Sequence, residues 1–229
     1  MQVEHIIHRG DIHYPRLFAN WQQAPSTLYC AGNVALLNET CVAVIGTRQP
    51  TKLGWQVAYS LSRALAAQDV VIVSGLALGC DTVAHKGALA AHGKTIAVLA
   101  TPLSHIYPSE NTVLAEEIVR SGGLVLSAYN TQDRCAAWQF VERDAVQAAL
   151  SRVVIPVQAG HKSGTRHAVQ WALHDGRTVA VPRPVEKDRV QYPDKYELIE
   201  ALMKRHDVMV IEGKQDYPRL LESVVESIK

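Results

Sequence analysis

The sequence predicts an α/β fold with a doubly wound parallel sheet, and three observations support this prediction. Short β-branched apolar runs recur along the chain, at Cys41–Ile45, Val70–Val73, Thr95–Leu99, Leu124–Leu126, Val153–Val157 and Thr178–Val181. Most of these runs are continuously apolar, as strands buried on both faces should be. Segments with helical spacing lie between them, at Leu53–Ala67, Thr82–Ala91, Val113–Ser121, Trp138–Ala149 and Gly164–His174. Strand–helix–strand repetition implies right-handed crossovers and therefore parallel strands.

Residues that commonly begin or end helices stand at the borders of these segments. Gly93, Gly122 and Gly176 follow predicted helices, where glycine easily adopts the left-handed conformation that ends a helix. Asp69 closes the first long helix, and Ser109 precedes a helical run that begins near Asn111. The borders therefore agree with the alternation of strands and helices.

Composition divides the chain into three segments. Residues 1–40 predict an ordered N-terminal lead-in, with a short helix after Tyr14 and a strand-like piece at Leu28–Cys30. Residues 41–183 contain the alternating strands and helices and predict the domain with the doubly wound parallel sheet. Residues 184–229 predict a charged linker with prolines and then a small α/β unit, with a helix near Lys195–His206, a strand at Val208–Ile211 and a helix near Tyr217–Ile228.

Charge and cysteine content limit the classes of function. The net charge of the 229 residues is +1, so binding to nucleic acid would require a local basic patch. The four cysteines, Cys30, Cys41, Cys80 and Cys135, form no C-x-x-C pair and no metal-spaced cluster with histidine. We therefore expect reduced thiols in a cytoplasmic protein that holds neither a metal nor a cofactor. The polar start and the absence of an apolar run of ~18 residues predict neither a signal peptide nor a membrane span.

The strongest local motif is Val42–Arg48, a buried strand that ends in glycine, threonine and arginine. In an open α/β sheet, ligands bind beyond the carboxyl ends of the strands. Gly46 lets the backbone approach a ligand, Thr47 offers a hydroxyl, and Arg48 offers a planar guanidinium that matches phosphate. The helix that starts near Leu53 adds free N–H groups. The motif predicts an anion site, with an ordinary strand–turn–helix and a surface arginine as the alternative.

Two further loops follow predicted strands at the same edge of the sheet. One contains Ser74 and Gly75 and leads to Asp81, which fits a helix N-cap, and to His85, for which ligand contact and a structural role both stay open. The other loop follows the fifth strand and carries phosphate-compatible residues at a helix start, namely Lys162, Ser163, Gly164, Thr165 and Arg166, with simple helix capping as the alternative to ligand contact. Together, the loops predict one shared positive crevice.

Aromatic residues near these loops have two interpretations. Tyr107 follows the third strand and either lies at the crevice rim, where its ring can stack on a base, or packs within its own loop. For Trp138 and Phe140, core packing is favoured over stacking.

Motifs of common enzyme classes are missing from the sequence. The dinucleotide fingerprint G-x-G-x-x-G would need glycines at positions 48 and 51, which are Arg48 and Thr51. No G-K-[ST], G-x-S-x-G or H-E-x-x-H occurs, and no set of nucleophile, base and acid stands out. We therefore assign no catalytic residue and expect a binding protein rather than an enzyme.

The motifs together resemble the DNA-processing protein A family, which is also called DprA or Smf. The resemblance runs from Tyr14 to about Pro182. It is carried by many pieces in a specific order and spacing, among them Tyr14–Leu17, Ala24–Tyr29, Gly32–Asn33, Val44–Arg48, Val73–Ala77, Gly87–Leu89, Gly93–Leu99, Tyr107–Asn111 and Ser163–Gly164.

The resemblance implies an extended Rossmann domain that forms a homodimer. It also implies a basic pocket that binds single-stranded DNA without strong sequence preference, and a role in loading a RecA-like recombinase. The motif match places a set of residues in or near that pocket: Gly46, Thr47, Arg48, Ser74, Gly75 and Lys94. The position of Lys94 just before a strand also suits a solvated charge.

The chain departs from the family pattern at one basic motif. Where the family carries Arg-Asn-Arg, this chain has Arg143, Asp144 and Ala145. Each lost phosphate contact should weaken binding and flatten its salt dependence. The C-terminal unit also does not look like the winged helix often found there.

Three functions follow from these patterns. A module that binds single-stranded DNA is favoured. The alternative is a regulatory partner, an antitoxin or sensor in a toxin–antitoxin or phage-defence system, that binds a cognate toxin together with a nucleotide or DNA. A nucleotide phosphoribohydrolase is less favoured, because His161–Ala168 lacks the glutamate of the pattern P-G-G-x-G-T-x-x-E.

Overall fold

A computed structural model of the chain describes residues 1–130 and 136–226. Cys135 therefore lies outside the described residues, whereas Cys30, Cys41 and Cys80 are buried free thiols. The described strands, in chain order, are β1 His5–His8, β2 Thr27–Gly32, β3 Cys41–Ile45, β4 Val71–Ser74, β5 Thr95–Leu99, β6 Leu124–Ser127, β7 Val153–Pro156, β8 Thr178–Pro182 and β9 Val208–Ile211. The helices are α1 Lys52–Ala66, α2 Cys80–Ala90, α3 Thr112–Arg120, α4 Ala137–Ala149, α5 Thr165–His174, α6 Glu186–Gln191, α7 Glu197–Met203 and α8 Tyr217–Glu226.

These strands form a single sheet in the order β1-β2-β6-β5-β4-β3-β7-β8-β9. The seven strands from β3 to β9 pair in parallel, while β1 with β2 and β2 with β6 pair antiparallel. The predicted doubly wound parallel sheet and its six strands are confirmed. Prediction missed β1, because a run of four residues with a single buried side chain, Ile7, gives almost no periodic signal.

The side chains of the central strand β3 point alternately to the two faces of the sheet and pack into a separate hydrophobic core on each face. Val42 and Val44 pack with α1, α2 and α8 on one face of the sheet. Cys41, Ala43 and Ile45 pack with α4, α5, α7 and the lead-in on the other face. Every residue of β3 is therefore buried, and this explains why its sequence is continuously apolar.

The segments before β3 and after β8 are hydrogen-bonded into the same sheet. Residues of β2 pair with β6, and residues of β9 pair with β8. The stretch that was predicted as a linker contains α6, whose Asp188 is buried. The division of the chain at residues 40 and 183 stays a prediction.

The strand order defines a switch point beside β3. The chain winds from β3 through β4 and β5 to β6 on one side, and α4 then carries it back to β7 on the other side. Loops that leave the carboxyl ends of β3 and β7 therefore diverge and leave a crevice between them, as expected at such a point.

Candidate phosphate-binding crevice

A cavity of about 460 Å³ lies at this switch point, and we call it the carboxyl-edge crevice. Its walls come from four parts of the chain: the loop after β3, the start of α2, one face of α4 and the loop before α5. The lining residues include Gly46, Thr47, Arg48, Gln49, Asp81, Phe140, Arg143, Asp144, Gln147, Ser163, Gly164 and Thr165. Seven of the residues predicted from sequence therefore share one cavity.

The loop after β3 is held against its neighbours by backbone hydrogen bonds. The Thr47 N–H donates to the Gln158 carbonyl at 2.7 Å, and the Thr47 carbonyl accepts from Cys80 N–H at 3.1 Å. A Cβ at Gly46 would stand 2.7 Å from the Cys80 sulfur, so only glycine fits there without displacement. The Thr47 hydroxyl accepts from Gln49 N–H at 3.2 Å, which leaves its own proton for a ligand.

Arg48 provides exposed positive charge at the crevice mouth. Its guanidinium carbon lies 5.8 Å from the centre of the Phe140 ring. Among the described residues, no carboxylate forms an ion pair with it. A guanidinium that is stacked but not paired retains its planar set of N–H donors for a phosphate.

Arg143 provides a second, buried guanidinium at the crevice floor. It donates to the Gly75 carbonyl, to the Val98 carbonyl at 3.3 Å and, through Nε, to Asp144 at 3.1 Å. The side chain is only 7% exposed. Arg143 therefore links the loop after β4 and the end of β5 to α4, and it places a buried positive charge at the crevice floor.

Two carboxylates balance these arginines. Burial raises the pKa of Asp81 to about 6, although Arg143 opposes that shift. Burial also raises the pKa of Asp144, against the favourable field of Arg143. The predicted N-cap role of Asp81 is wrong, since the N-cap of α2 is Gly79. Asp81 instead accepts from the N–H groups of Gly75 and Ala77, at 3.1 and 3.4 Å, and so fixes their loop.

The loop before α5 closes the opposite side of the crevice. Ser163, Gly164 and Thr165 line it, and the Ser163 hydroxyl accepts from Thr165 N–H at 3.2 Å. Lys162 on this loop and Arg166 in the first turn of α5 are exposed but are not among the lining residues. They add positive charge beside the crevice rather than within it.

Three predicted or considered residues lie away from the cavity. Ser74 is buried, and its hydroxyl donates to the Val44 carbonyl at 2.7 Å. Lys94 precedes β5 at the opposite edge of the sheet, where Nζ donates to the Ser121 carbonyl at 2.8 Å. His85 is fully buried and bonds to Thr95, which excludes direct contact with a ligand in this structure.

An aromatic rim borders the crevice. Tyr107 is 46% exposed, and its ring meets Phe140 edge to face at 5.7 Å. A smaller cleft between Tyr107, Phe140 and Arg48 adjoins the crevice and is also lined by Gly75. The core interpretation is wrong for Trp138, which is 56% exposed and packs its ring edge to face on Tyr129. It is also wrong for Phe140, which is only partly buried and lines both the crevice and the smaller cleft.

A buried polar network behind the loop after β3 escaped prediction. The Thr51 hydroxyl donates to Asp188 at 2.6 Å, and the Thr51 N–H donates to the Gln158 side chain at 2.9 Å. The Gln158 amide and the Tyr196 hydroxyl both donate to the same Asp188 oxygen. The network ties the start of α1 to residues that lie 107 and 137 positions away, beyond the reach of any local pattern.

Within the described ranges, no group of three or more histidine, cysteine or acidic residues is placed to hold a metal ion. No described helix is long and apolar enough to cross a membrane.

Comparisons with known proteins agree on one family. The model of the DNA recombination-mediator protein A family matches residues 5–202. The DNA processing protein DprA of Bacillus subtilis (strain 168) is 36% identical over 171 residues, which cover 74% of this chain and 57% of that protein. The chain spans about half the length of the curated relatives it matches, between 42% and 60%.

Two solved structures have the same architecture. DNA processing protein A from Streptococcus pneumoniae superposes with a TM-score of 0.83 at 31% identity, over 94% of this chain and 73% of that one. The Helicobacter pylori protein superposes with a TM-score of 0.82 at 31% identity, over 95% of both chains, and its structure concerns its mode of binding single-stranded DNA.

Proposed function

Because the chain belongs to the DNA recombination-mediator protein A family, we propose that it binds single-stranded DNA through the carboxyl-edge crevice. The observation that carries the proposal is the convergence of Gly46, Thr47 and Arg48 with Ser163–Thr165 on one cavity at the switch point. Hydroxyl groups and an unpaired guanidinium are donors that suit the oxygens of a phosphodiester. No base-specific set of side chains is needed, so recognition would depend on the backbone.

The rim supplies the second element of this binding mode. Single-stranded DNA is held by charge along its backbone and by stacking of bases on aromatic rings. Tyr107 and Phe140 stand beside Arg48, so a phosphate at Arg48 would place a neighbouring base against the rim. Asp81 and Asp144 reduce the net positive charge of the walls, and we therefore expect moderate affinity with a shallow salt dependence.

We expect Arg48→Ala to weaken binding of labelled oligothymidine by about tenfold or more, since a charged hydrogen bond contributes about 1.5–3 kcal/mol. Fluorescence anisotropy at two chloride concentrations measures the affinity and its salt slope. Lys94→Ala is the matched control, because it removes the same charge at the opposite edge of the sheet. Equal losses in both variants, or no binding by the unmodified protein at low salt, would contradict the proposal.

A glycine substitution tests the geometry of the loop rather than its charge. Gly79 has φ +79°, and a Cβ there would stand 2.5 Å from the Thr47 and Arg48 carbonyl oxygens. Gly79→Ala should therefore displace the Thr47–Arg48 backbone and reduce DNA affinity, in addition to a strain cost of about 1–3 kcal/mol. Gly10→Ala is the control, because Gly10 also has positive φ, +101°, but nothing lies within 4 Å of its Cβ position. The idea fails if both variants bind DNA like the unmodified protein.

A small nucleotide is the second candidate ligand. The crevice volume of about 460 Å³ lies within the range of small-molecule sites, and one nucleotide would fill much of it. Competition of the labelled oligonucleotide by a deoxynucleoside monophosphate separates the two candidates. Displacement at micromolar concentration favours the nucleotide, and displacement only by longer strands favours DNA.

The wider roles stay predictions of the family resemblance. They are a homodimer, a RecA-like partner and a role in recombination, with an antitoxin or sensor role as the alternative. Copurification with the product of a neighbouring toxin gene would test that alternative. We assign no catalytic role to the crevice.

A further inference from the structure

Helix α4 supplies one wall of the carboxyl-edge crevice. Phe140, Arg143, Asp144 and Gln147 all line the crevice, and their spacing along the chain places them on one face of the helix. A Cβ built on Gly164 would stand 3.5 Å from Asp144 Oδ2. Asp144 also lies one helical turn from Phe140, which belongs to the aromatic rim. Asp144 therefore stands between the loop before α5 and the rim.

Among the described residues, only one carboxylate oxygen of Asp144 accepts hydrogen bonds. Oδ1 accepts from Arg143 Nε at 3.1 Å and from Gln147 Nε2 at 3.2 Å, and no described residue donates to Oδ2. Burial raises the pKa of this carboxyl, although the charges of Arg143, His167 and Arg48 oppose the shift. The side chain is 13% exposed and lines the crevice, so Oδ2 is an acceptor that a bound ligand can reach.

Gln147 supplies a second acceptor to the same wall. Its Nε2 donates to Asp144 Oδ1, and this bond places the amide oxygen Oε1 on the other side of the group. Oε1 is buried and has no hydrogen-bond partner among the described residues. An acceptor that is buried without a donor destabilises the folded protein unless a ligand or an ordered water supplies one. Two neighbouring residues of this wall therefore each have one oxygen that lacks a donor from the described protein.

A phosphate group alone does not account for these oxygens. A phosphate needs donors, which Thr47, Arg48 and Ser163 can supply, whereas an ionised Asp144 repels it. The structural role of Asp144, which is to hold its neighbours on α4, uses only Oδ1. A ligand that carries hydroxyl groups close to its phosphate matches both kinds of wall, because a hydroxyl can donate to Asp144 while the phosphate accepts from the opposite loops.

The position of Asp144 suits the sugar of a nucleotide. With a phosphate at Arg48 and a base against the rim, the sugar that joins them lies between these two groups, on the side where Asp144 stands. An acidic side chain binds the ribose hydroxyl in this way in dinucleotide-binding α/β folds. A site built around such a bond discriminates against ligands that lack the hydroxyl, because its acceptor is then left unpaired.

We propose that Asp144 accepts a hydrogen bond from a sugar hydroxyl, and that the crevice therefore selects ligands with a free 2′- or 3′-hydroxyl beside their phosphate. Ribonucleotides carry the 2′-hydroxyl and the end of a DNA strand carries the 3′-hydroxyl, whereas an internal deoxynucleotide has neither. The inference rests on the part of the proposed function that places a phosphate at Arg48, and not on the length of the bound strand.

The test compares three nucleotides by titration of the full chain, followed by NMR of the backbone amides, in which the signals of Gly46 and Gly164 report binding in the crevice. Uridine 5′-monophosphate, its 2′-deoxy form and its 2′,3′-dideoxy form share the base and the phosphate and differ only in their hydroxyls. We expect the dideoxy form to bind about tenfold more weakly than the tightest of the three, since it has no donor for Asp144. A gap between the first two identifies the 2′-hydroxyl of a ribonucleotide, and a gap between the last two identifies the 3′-hydroxyl of a strand end.

Asp144→Asn keeps the shape of the side chain and removes its charge. The amide oxygen stays with the Arg143 and Gln147 donors, so an NH2 group takes the place of Oδ2. We expect the hydroxyl preference to fall to about twofold or less. The dideoxy form should bind at least as tightly as before, because no carboxylate repels its phosphate, whereas a purely structural role would weaken all three nucleotides alike. Asp69→Asn is the matched control, because Asp69 is exposed just after α1, at the opposite edge of the sheet, and asparagine suits its positive φ of +57°.

Binding of oligothymidine separates this proposal from the proposed function. Equal binding of the three nucleotides, no binding of any of them, or an unchanged preference in Asp144→Asn overturns the role of Asp144, even where oligothymidine binds and Arg48→Ala abolishes that binding. A hydroxyl preference that Asp144→Asn removes and Asp69→Asn retains supports the role. If oligothymidine then fails to bind, only single-stranded DNA is withdrawn as the ligand.

Discussion

Replacing Arg143 by methionine is expected to lower the free energy of unfolding by about 3–5 kcal/mol at pH 8. The guanidinium is 7% exposed and forms an ion pair with Asp144, and its field also stabilises the charged form of Asp81. Methionine fills much of the same volume but leaves two buried carboxylates without their cation. The Gly75 and Val98 carbonyls also lose their donor. Urea unfolding followed by circular dichroism measures the loss.

The pH dependence of this loss identifies its cause. Without Arg143 the pKa of Asp81, already raised to about 6, should rise further. At pH 5 Asp81 then takes up a proton in the folded state, and the cost of Arg143→Met should be smaller than at pH 8. Arg205→Met is the control, since Arg205 pairs with Asp207 on the surface, where solvent screens the ion pair and its loss should change stability little. Similar losses in the two variants, or a loss independent of pH, would refute the electrostatic explanation.

His85→Leu is expected to make the protein relatively more stable in mild acid than the unmodified protein. The Thr95 hydroxyl donates its proton to the Ile72 carbonyl at 2.6 Å, so it must accept from His85 Nδ1 at 2.7 Å. Nε2 is therefore the unprotonated nitrogen, and it is buried without a hydrogen-bond partner among the described residues. Burial, with a smaller contribution from Arg143, lowers the pKa of His85 to about 3.

The sign of the effect follows from the two buried groups. The unfolded chain protonates His85 below pH 6.5 while the folded chain does not, so acid down to pH 4.5 costs about 2–3 kcal/mol of stability. Asp81 opposes this, because its folded pKa of about 6 exceeds its ordinary 3.8. Its folded state gains about 2 kcal/mol as the pH falls from 7 to 4.5, and loses that gain as the pH rises through 6.

The unmodified protein, His85→Leu and Asp81→Asn should therefore differ in how their stability changes between pH 7 and pH 4.5. The unmodified protein should change little from these two groups, His85→Leu should become relatively more stable in acid, and Asp81→Asn should become relatively less stable. Thermal unfolding by calorimetry at the two pH values measures the differences. Identical slopes in all three proteins would show that neither buried group controls the acid response.

Local patterns were sufficient for the described strands other than β1, for the described helices other than α6, and for three loops of the crevice. The residues Gly46-Thr47-Arg48 at the end of an apolar strand indicate a turn. Parallel strands place their carboxyl ends at one edge of the sheet, so the loops that follow them could be predicted to lie together. The same rule explains why Lys94 is not in the crevice: it precedes a strand, and therefore lies at the amino edge. For the question of whether Lys94 lines the crevice, its position before β5 was more informative than its match to the family motif.

Other features depended on tertiary contacts that the sequence does not display. Whether Arg143 or Trp138 faces inward depends on the rotation of α4 about its axis, and α4 carries apolar residues on more than one side. The structure buries Arg143 and exposes Trp138, because the guanidinium finds the Gly75 and Val98 carbonyls.

The network that joins Thr51 and Gln158 to Asp188 and Tyr196 has a consequence for the order in which the protein matures during synthesis. All of the crevice-lining residues have been translated once the ribosome passes Thr165, but the aspartate and tyrosine that hold the back of the loop follow later. A nascent chain that ends before Asp188 thus has every ligand contact and lacks the support for Thr51. The ability to bind a ligand in the crevice should therefore appear late in synthesis, only after the segment that contains Asp188 and Tyr196 has emerged and folded.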